Sequence, residues 1–295
     1  MEFIKAKSIL TKVKYGNEWY GVDYNMNLYR GCPHGCIYCD SRSNCYHIDN
    51  FDVPKGKENA LGILENELSK KHDHGVVGIG SMSDTYNPLE KEYEQTRGAL
   101  KLLSKYNFGV SIDTKSDLIL RDLDILKEIN SKNNVIIKFT ITTPHDELSK
   151  IIEPNVCVSS KRFEAIRTLT DNGIFAGIMM NPVLPFITDN IEDIKELVRL
   201  AHENGAKFIQ TFMGMTLREN QKDYYYEKLD KNFKGLKEKY IKCYGEKYNC
   251  PVPNYKEIYK VFISECDKYG ILYNMKDIIK AYKKEIKNDK QITLF

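Results

Sequence analysis

Residues 135–143 read VIIKFTITT, a run dominated by β-branched side chains with one embedded charge. Such a run reads as a strand buried on both faces, as parallel strands between helix layers are. Working outward, runs of the same kind recur as VVGIGSM at 76–82, FGVSIDT at 108–114, IFAGIMMN at 174–181 and KFIQTFM at 207–213. Amphipathic stretches lie between them: YEQTRGALKLLSKY, LILRDLDILKEIN, SKRFEAIRTLTDNG and NIEDIKELVRLAHENG, with Gly173 and Gly205 placed as helix stops. A further strand within 22–28 completes six βα units. The period predicts an α/β fold, a partial (βα)6 TIM-like barrel over residues 1–215, carrying a helical C-terminal extension over 216–290.

The chain has 295 residues, 42% of them hydrophobic and 29% charged, a composition that excludes disordered and collagen-like chains. No apolar run is long enough to span a bilayer, and the first residues lack a secretory signal pattern, so the expectation is a cytoplasmic protein with reduced thiols and no membrane partner. The net charge of +3 is uneven: residues 220–295 hold 17 Lys against 11 acids and also 11 of the 20 tyrosines. Interleaved charge and rings suit a phosphate backbone with stacked bases, and equally a solvated lysine face with tyrosines packed beneath it.

The densest chemical signal is CPHGCIYC, in which Cys32, Cys36 and Cys39 follow the first strand in a C-x3-C-x2-C spacing. Three adjacent thiolates can hold a 4Fe-4S cubane and leave one iron open to a small molecule, the arrangement of a catalytic rather than a relay cluster. A fourth thiolate from Cys45 would instead make a non-catalytic electron carrier or a zinc-stabilised binding module. In a βα barrel, reactive groups sit on loops after the strands. Those positions here are Ser81, Ser83, Asp84, Thr114, Lys115, Thr142, Thr143 and Asn181.

The cysteine spacing, with Tyr38 before the third cysteine at the head of a βα barrel, resembles the signature of radical S-adenosylmethionine enzymes. NLYRGCPHGCIYC, SDTYNPLE with Thr96 and Arg97, TKSDLILRDLDIL, ITT at 141–143, and Glu153 and Pro154 with Arg162 narrow the resemblance to the spore photoproduct lyase-like branch, over roughly residues 8–215. The resemblance implies a 4Fe-4S cluster on Cys32, Cys36 and Cys39, and S-adenosylmethionine cleaved to a 5′-deoxyadenosyl radical that abstracts a substrate hydrogen. It places Tyr38 against the adenine, Ser83 and Lys115 at the methionyl end and Thr142 at the ribose. It also implies an electron donor such as flavodoxin or ferredoxin. An ammonium at Lys115 suits the cofactor carboxylate on charge alone. Two roles stay open for Asp84 and Glu90, a bond to the methionyl amine or capping of the next helix, and capping suits Glu90 better. Arg162 reaches inward or makes a surface pair.

This chain departs from the lyase pattern where hydrogen is returned to substrate: Met82 stands in place of a cysteine and Asp40 in place of a tyrosine. Reversal of the spore lesion is therefore not expected. Cys157 is a thiol from another direction or a small core residue, and Cys243, Cys250 and Cys266 are spaced too widely to suggest an auxiliary cluster. Residues 291–295, QITLF, resemble the bacterial sliding-clamp-binding motif, with Gln291, Leu294 and Phe295 as the contacts, and so favour DNA carrying a lesion or modified base as substrate. RNA, a peptide or a small metabolite are the alternative substrates.

Overall fold

The computed structural model describes residues 2–14 and 18–283. In the main sheet of the described residues six strands run parallel: β1 (Tyr24–Met26), β2 (Val76–Ile79), β3 (Gly109–Thr114), β4 (Val135–Thr140), β5 (Phe175–Met180) and β6 (Ile209–Thr211). Their spatial order is their chain order, with Leu10–Lys12 added antiparallel outside β1. Strand order that follows chain order is how βα units wind into a barrel, and here the winding stops open after six. All six residues of β4 are buried, as its composition predicts. The embedded charge, Lys138, is neutralised inside by Asp113 at 2.9 Å and donates to Ser111 Oγ at 2.7 Å.

The outer helices are α1 (Ala60–Leu68), α2 (Gln95–Lys105), α3 (Leu123–Lys132), α4 (Ser159–Asp171) and α5 (Ile191–Glu203). In α5, Ile194, Leu197, Val198 and Ala201 form the buried stripe, and the Asn190 side chain caps its start by accepting from Glu192 N at 2.8 Å. Glu90 is fully buried and accepts from Thr96 N at 2.9 Å and Arg97 N at 3.2 Å, so it caps α2.

Beyond the barrel lie α6 (Gln221–Asn232), α7 (Leu236–Tyr244), α8 (Tyr255–Tyr269) and α9 (Met275–Tyr282). The helical stretch is broken at Pro251 and Pro253. Asn249–Pro251 is a strand, paired antiparallel with Gly214–Thr216, because Pro251 and Pro253 forbid a helix there. Ile258, Phe262 and Cys266 of α8 join the barrel core, and Ile209 N donates to Leu272 O at 2.8 Å, covering the open edge of β6. Tyr225, Tyr226, Tyr240, Tyr244 and Tyr282 are buried, so much of the tyrosine content of 220–283 is core rather than a stacking surface. Among the described residues no helix is long and apolar enough to cross a membrane. The QITLF stretch with Gln291, Leu294 and Phe295 lies outside the described residues.

Candidate active site

The cysteine loop leaves Tyr29–Arg30, which pairs with Lys55–Lys57. Gly31 turns the chain at φ +82°, and a Cβ there would sit 2.7 Å from Phe51 O, so only glycine fits ahead of Cys32. Cys32 N then donates to Phe51 O at 2.8 Å, Ile37 N to Ile152 O at 2.9 Å and Asn155 N to His34 O at 3.1 Å. The loop is thus clamped from both sides at the strand C-terminal ends.

Cys32, Cys36 and Cys39 line one cavity of about 80 Å³ together with Ser83, Asp84 and Lys115. Burial, and then the Asp84 charge, push the Cys32 thiol up to about 12, and burial pushes Cys36 up as well. Among the described residues no three His, Cys, Asp or Glu side chains approach closely enough to hold a single metal ion. Three thiols around one hollow fit a multi-iron cluster, whose own charge would displace the thiol protons. Cys45 lies outside this cavity. It is exposed, and its sulfur accepts from Ser43 Oγ and Arg218 Nη1, each at 3.3 Å.

Lys115 follows β3 and is half-buried on the cavity wall. Burial opposes its charge, but the field of Cys36, Glu153 and Asp84 holds its pKa above that of an ordinary lysine. Asp84 positions it: this carboxylate accepts from Lys115 N at 2.8 Å, Thr114 Oγ1 at 2.8 Å and Tyr86 N at 2.9 Å. Asp84 therefore ties the loop after β2 to the end of β3. His34 is buried beside it, Nδ1 3.6 Å from Asp84, and burial lowers its pKa. Ser83 donates to Gly31 O and faces the cavity. Thr142 does not share these walls: its hydroxyl is buried without a partner among the described residues, while Thr140, at the end of β4, lines the cavity.

A second, larger cavity of about 430 Å³ shares Cys39, Gly80, Ser81, Lys115 and Thr140 with the first and extends to Tyr38, Asn181 and Met215. Gly80 is forced, since at φ +96° a Cβ would lie 2.1 Å from Asp113 O. Behind this wall runs a polar chain that the residue pattern left open. The Tyr38 hydroxyl donates to Glu153, which pairs with Arg162, and Arg162 donates to Thr140 O at 2.9 Å and Cys157 O at 2.8 Å. Glu153 and Arg162 are 1% and 0% exposed, so Arg162 reaches inward. Periodicity carries no sign of this link, because the partners lie in separate elements. Met82 faces the small cavity, whereas Cys157 donates its S–H to Lys115 O at 3.0 Å and opens on a different hollow. Asp40 faces the large cavity and is held by Thr216 Oγ1 at 2.9 Å and Arg218 Nε at 3.0 Å. Cys250 and Cys266 are buried in different cores and Cys243 is exposed, so these three do not assemble.

Six wound βα units with a three-thiol loop at their mouth have the architecture of a partial-barrel enzyme. Residues 26–201 match the radical SAM superfamily model, and the chain belongs to that superfamily. Membership implies a 4Fe-4S cluster and S-adenosylmethionine. An uncharacterized protein of Methanocaldococcus jannaschii is 35% identical over 189 residues, 63% of this chain and 68% of that one. Among solved structures, spore photoproduct lyase complexed with dinucleoside spore photoproduct aligns with TM-score 0.66 at 14% identity, over 90% of this chain and 79% of that one. A radical S-adenosylmethionine methyltransferase from Kitasatospora setae, with cobalamin and a [4Fe-4S] cluster bound, aligns with TM-score 0.58 at 10% identity, over 88% and 56%. At these identities the structural likeness speaks to the fold.

Proposed function

We propose that this chain is a hydrogen-abstracting radical S-adenosylmethionine enzyme acting on nucleic acid, a DNA lesion or a modified base. The observation that carries the first part is the joint wall of three thiols and one lysine whose ammonium has no carboxylate within ion-pair distance among the described residues. Cys32, Cys36 and Cys39 hold the cluster and Lys115 receives the cofactor carboxylate. A cluster held there and reduced by a flavodoxin- or ferredoxin-type donor would supply one electron for reductive cleavage of S-adenosylmethionine. Ser83 offers its oxygen to the methionyl end, Tyr38 packs against the adenine with its hydroxyl fixed by Glu153, and Thr140 stands on the ribose side in place of Thr142. Asp84 acts through Lys115 by fixing its backbone.

The nucleic-acid substrate is supported by the positive charge of residues 220–295 and by the resemblance of Gln291, Leu294 and Phe295 to a clamp-binding peptide, which makes a bacterial sliding clamp a proposed partner. The test is anaerobic reconstitution with iron and sulfide. Dithionite-dependent cofactor cleavage and a change in the reduced cluster's paramagnetic resonance spectrum on adding S-adenosylmethionine are expected. Cys36→Ala retaining full cleavage would refute the chemistry, and absence of salt-sensitive DNA binding by the holoenzyme would refute the substrate class.

A further inference from the structure

The outer wall of the large cavity carries three big aromatic side chains from distant parts of the chain. Trp19 precedes β1, Phe212 follows β6 and Tyr248 precedes Asn249–Pro251. Each is exposed, by 47%, 41% and 43%. Scattered exposed aromatics need no explanation, but three facing one hollow of about 430 Å³ do. The volume lies within the roughly 300–1,000 Å³ range of pockets that take small ligands or parts of larger ones.

The polar groups on the same wall are of a matching kind. The Asn181 carboxamide is half-buried and makes no hydrogen bond among the described residues, leaving both a donor and an acceptor for a ligand edge. Behind Tyr248, Arg218 donates to its hydroxyl at 2.6 Å with the guanidinium 4.9 Å from the ring centroid, which fixes that ring, while the Arg218 charge is paired with Asp40 at 3.0 Å. Tyr38 and Thr140, given above to the cofactor's adenine and ribose, line the inner side of the same cavity, so a ring held at its outer wall lies beside the cofactor.

We propose that Trp19, Phe212 and Tyr248 bind one nucleobase turned out of its stack, with Asn181 reading its hydrogen-bonding edge. The inference rests on the nucleic-acid reading above and adds where the base sits and that it enters singly. Stacking on aromatic rings tolerates any base because every base has a π-face, while a carboxamide distinguishes edges. A base paired within a duplex has both faces covered and cannot reach this wall.

Trp19 is the single tryptophan of the chain, so its emission is a local reporter. The anaerobic holoenzyme is titrated with a short single-stranded thymidine oligonucleotide and with the same strand made abasic, following Trp19 emission and, separately, the anisotropy of an end label. The thymidine strand should quench Trp19 saturably, and the abasic strand should bind in low salt with little quenching. Phe212→Ala and Tyr248→Ala, shown folded by their thermal transitions, should each bind the thymidine strand about 5- to 150-fold more weakly, the range of one lost stacking contact. Asn181→Ala should retain quenching and lose preference among bases. Equal quenching by both strands, or both aromatic variants binding like the wild type, would overturn the base site while leaving nucleic-acid binding intact. Flat anisotropy with either strand would overturn both readings.

Discussion

Replacing Glu153 by Gln removes the charge that faces Arg162 in the interior while keeping the shape. Arg162 retains the carbonyls of Thr140 and Cys157 at 2.9 and 2.8 Å but loses its counter-ion in a site 0% exposed. Breaking a buried ion pair from one side costs about 3–5 kcal/mol, because the remaining charge stays desolvated. An unfolding entropy of about 2.1 cal/mol/K per residue over 295 residues gives about 0.6 kcal/mol/K, so the midpoint should fall by about 5–8 °C. The retained carbonyls favour the lower half of that interval. Scanning calorimetry of the apoprotein measures the shift, and iron retention by the reconstituted protein reports whether Tyr38 and the neighbouring Cys39 have loosened. The double variant Glu153→Gln, Arg162→Leu should recover part of the loss, since it removes the stranded charge. A shift under about 1 °C, or a double variant as unstable as the two single changes added together, would refute this account of the pair.

Cys45→Ser should bind the same iron as the wild type and keep the spectral response to S-adenosylmethionine, because Cys45 lies outside the cysteine cavity; loss of iron would reinstate a closed, four-thiolate site. Gly80→Ala should lower the thermal midpoint far more than Gly235→Ala: both sites have positive φ, but the added Cβ meets Asp113 O at 2.1 Å in one and nothing within 4 Å in the other. Similar shifts in the two would dispose of that reasoning. Hydrogen bonding from Arg97 holds the Asp124 carboxyl below its ordinary value. A depressed folded-state pKa stabilises above the unfolded value of about 3.9 and ceases to as pH falls through the folded value. Asp124→Asn should therefore be less stable than the wild type near neutrality and converge with it below about pH 4, as read by urea unfolding; a constant gap would contradict the assignment.

The sequence by itself determined the winding of the barrel and the gathering of three thiols in one loop. Strands buried on both faces are almost continuously apolar, so VIIKFTITT and its counterparts announce themselves, and three thiols lie within eight residues, Cys32 to Cys39. Gly80, which the cavity wall requires, sat within a strand run but carried no mark of its φ of +96°. Local pattern was less informative in the extension, where the same lysines and tyrosines suited a stacking surface or a packed core. Tertiary structure chose the core for Tyr225, Tyr240 and Tyr244, because Cys36, Ile37 and Ile152 supply the facing apolar surface. It likewise decided that Thr140 rather than Thr142 meets the cavity, that Glu153 and Arg162 back Tyr38, and that Trp19, Phe212 and Tyr248 share one wall. These are pairings between residues tens to hundreds of positions apart. Side-chain periodicity records which face of an element is buried, and does not record what that face is buried against.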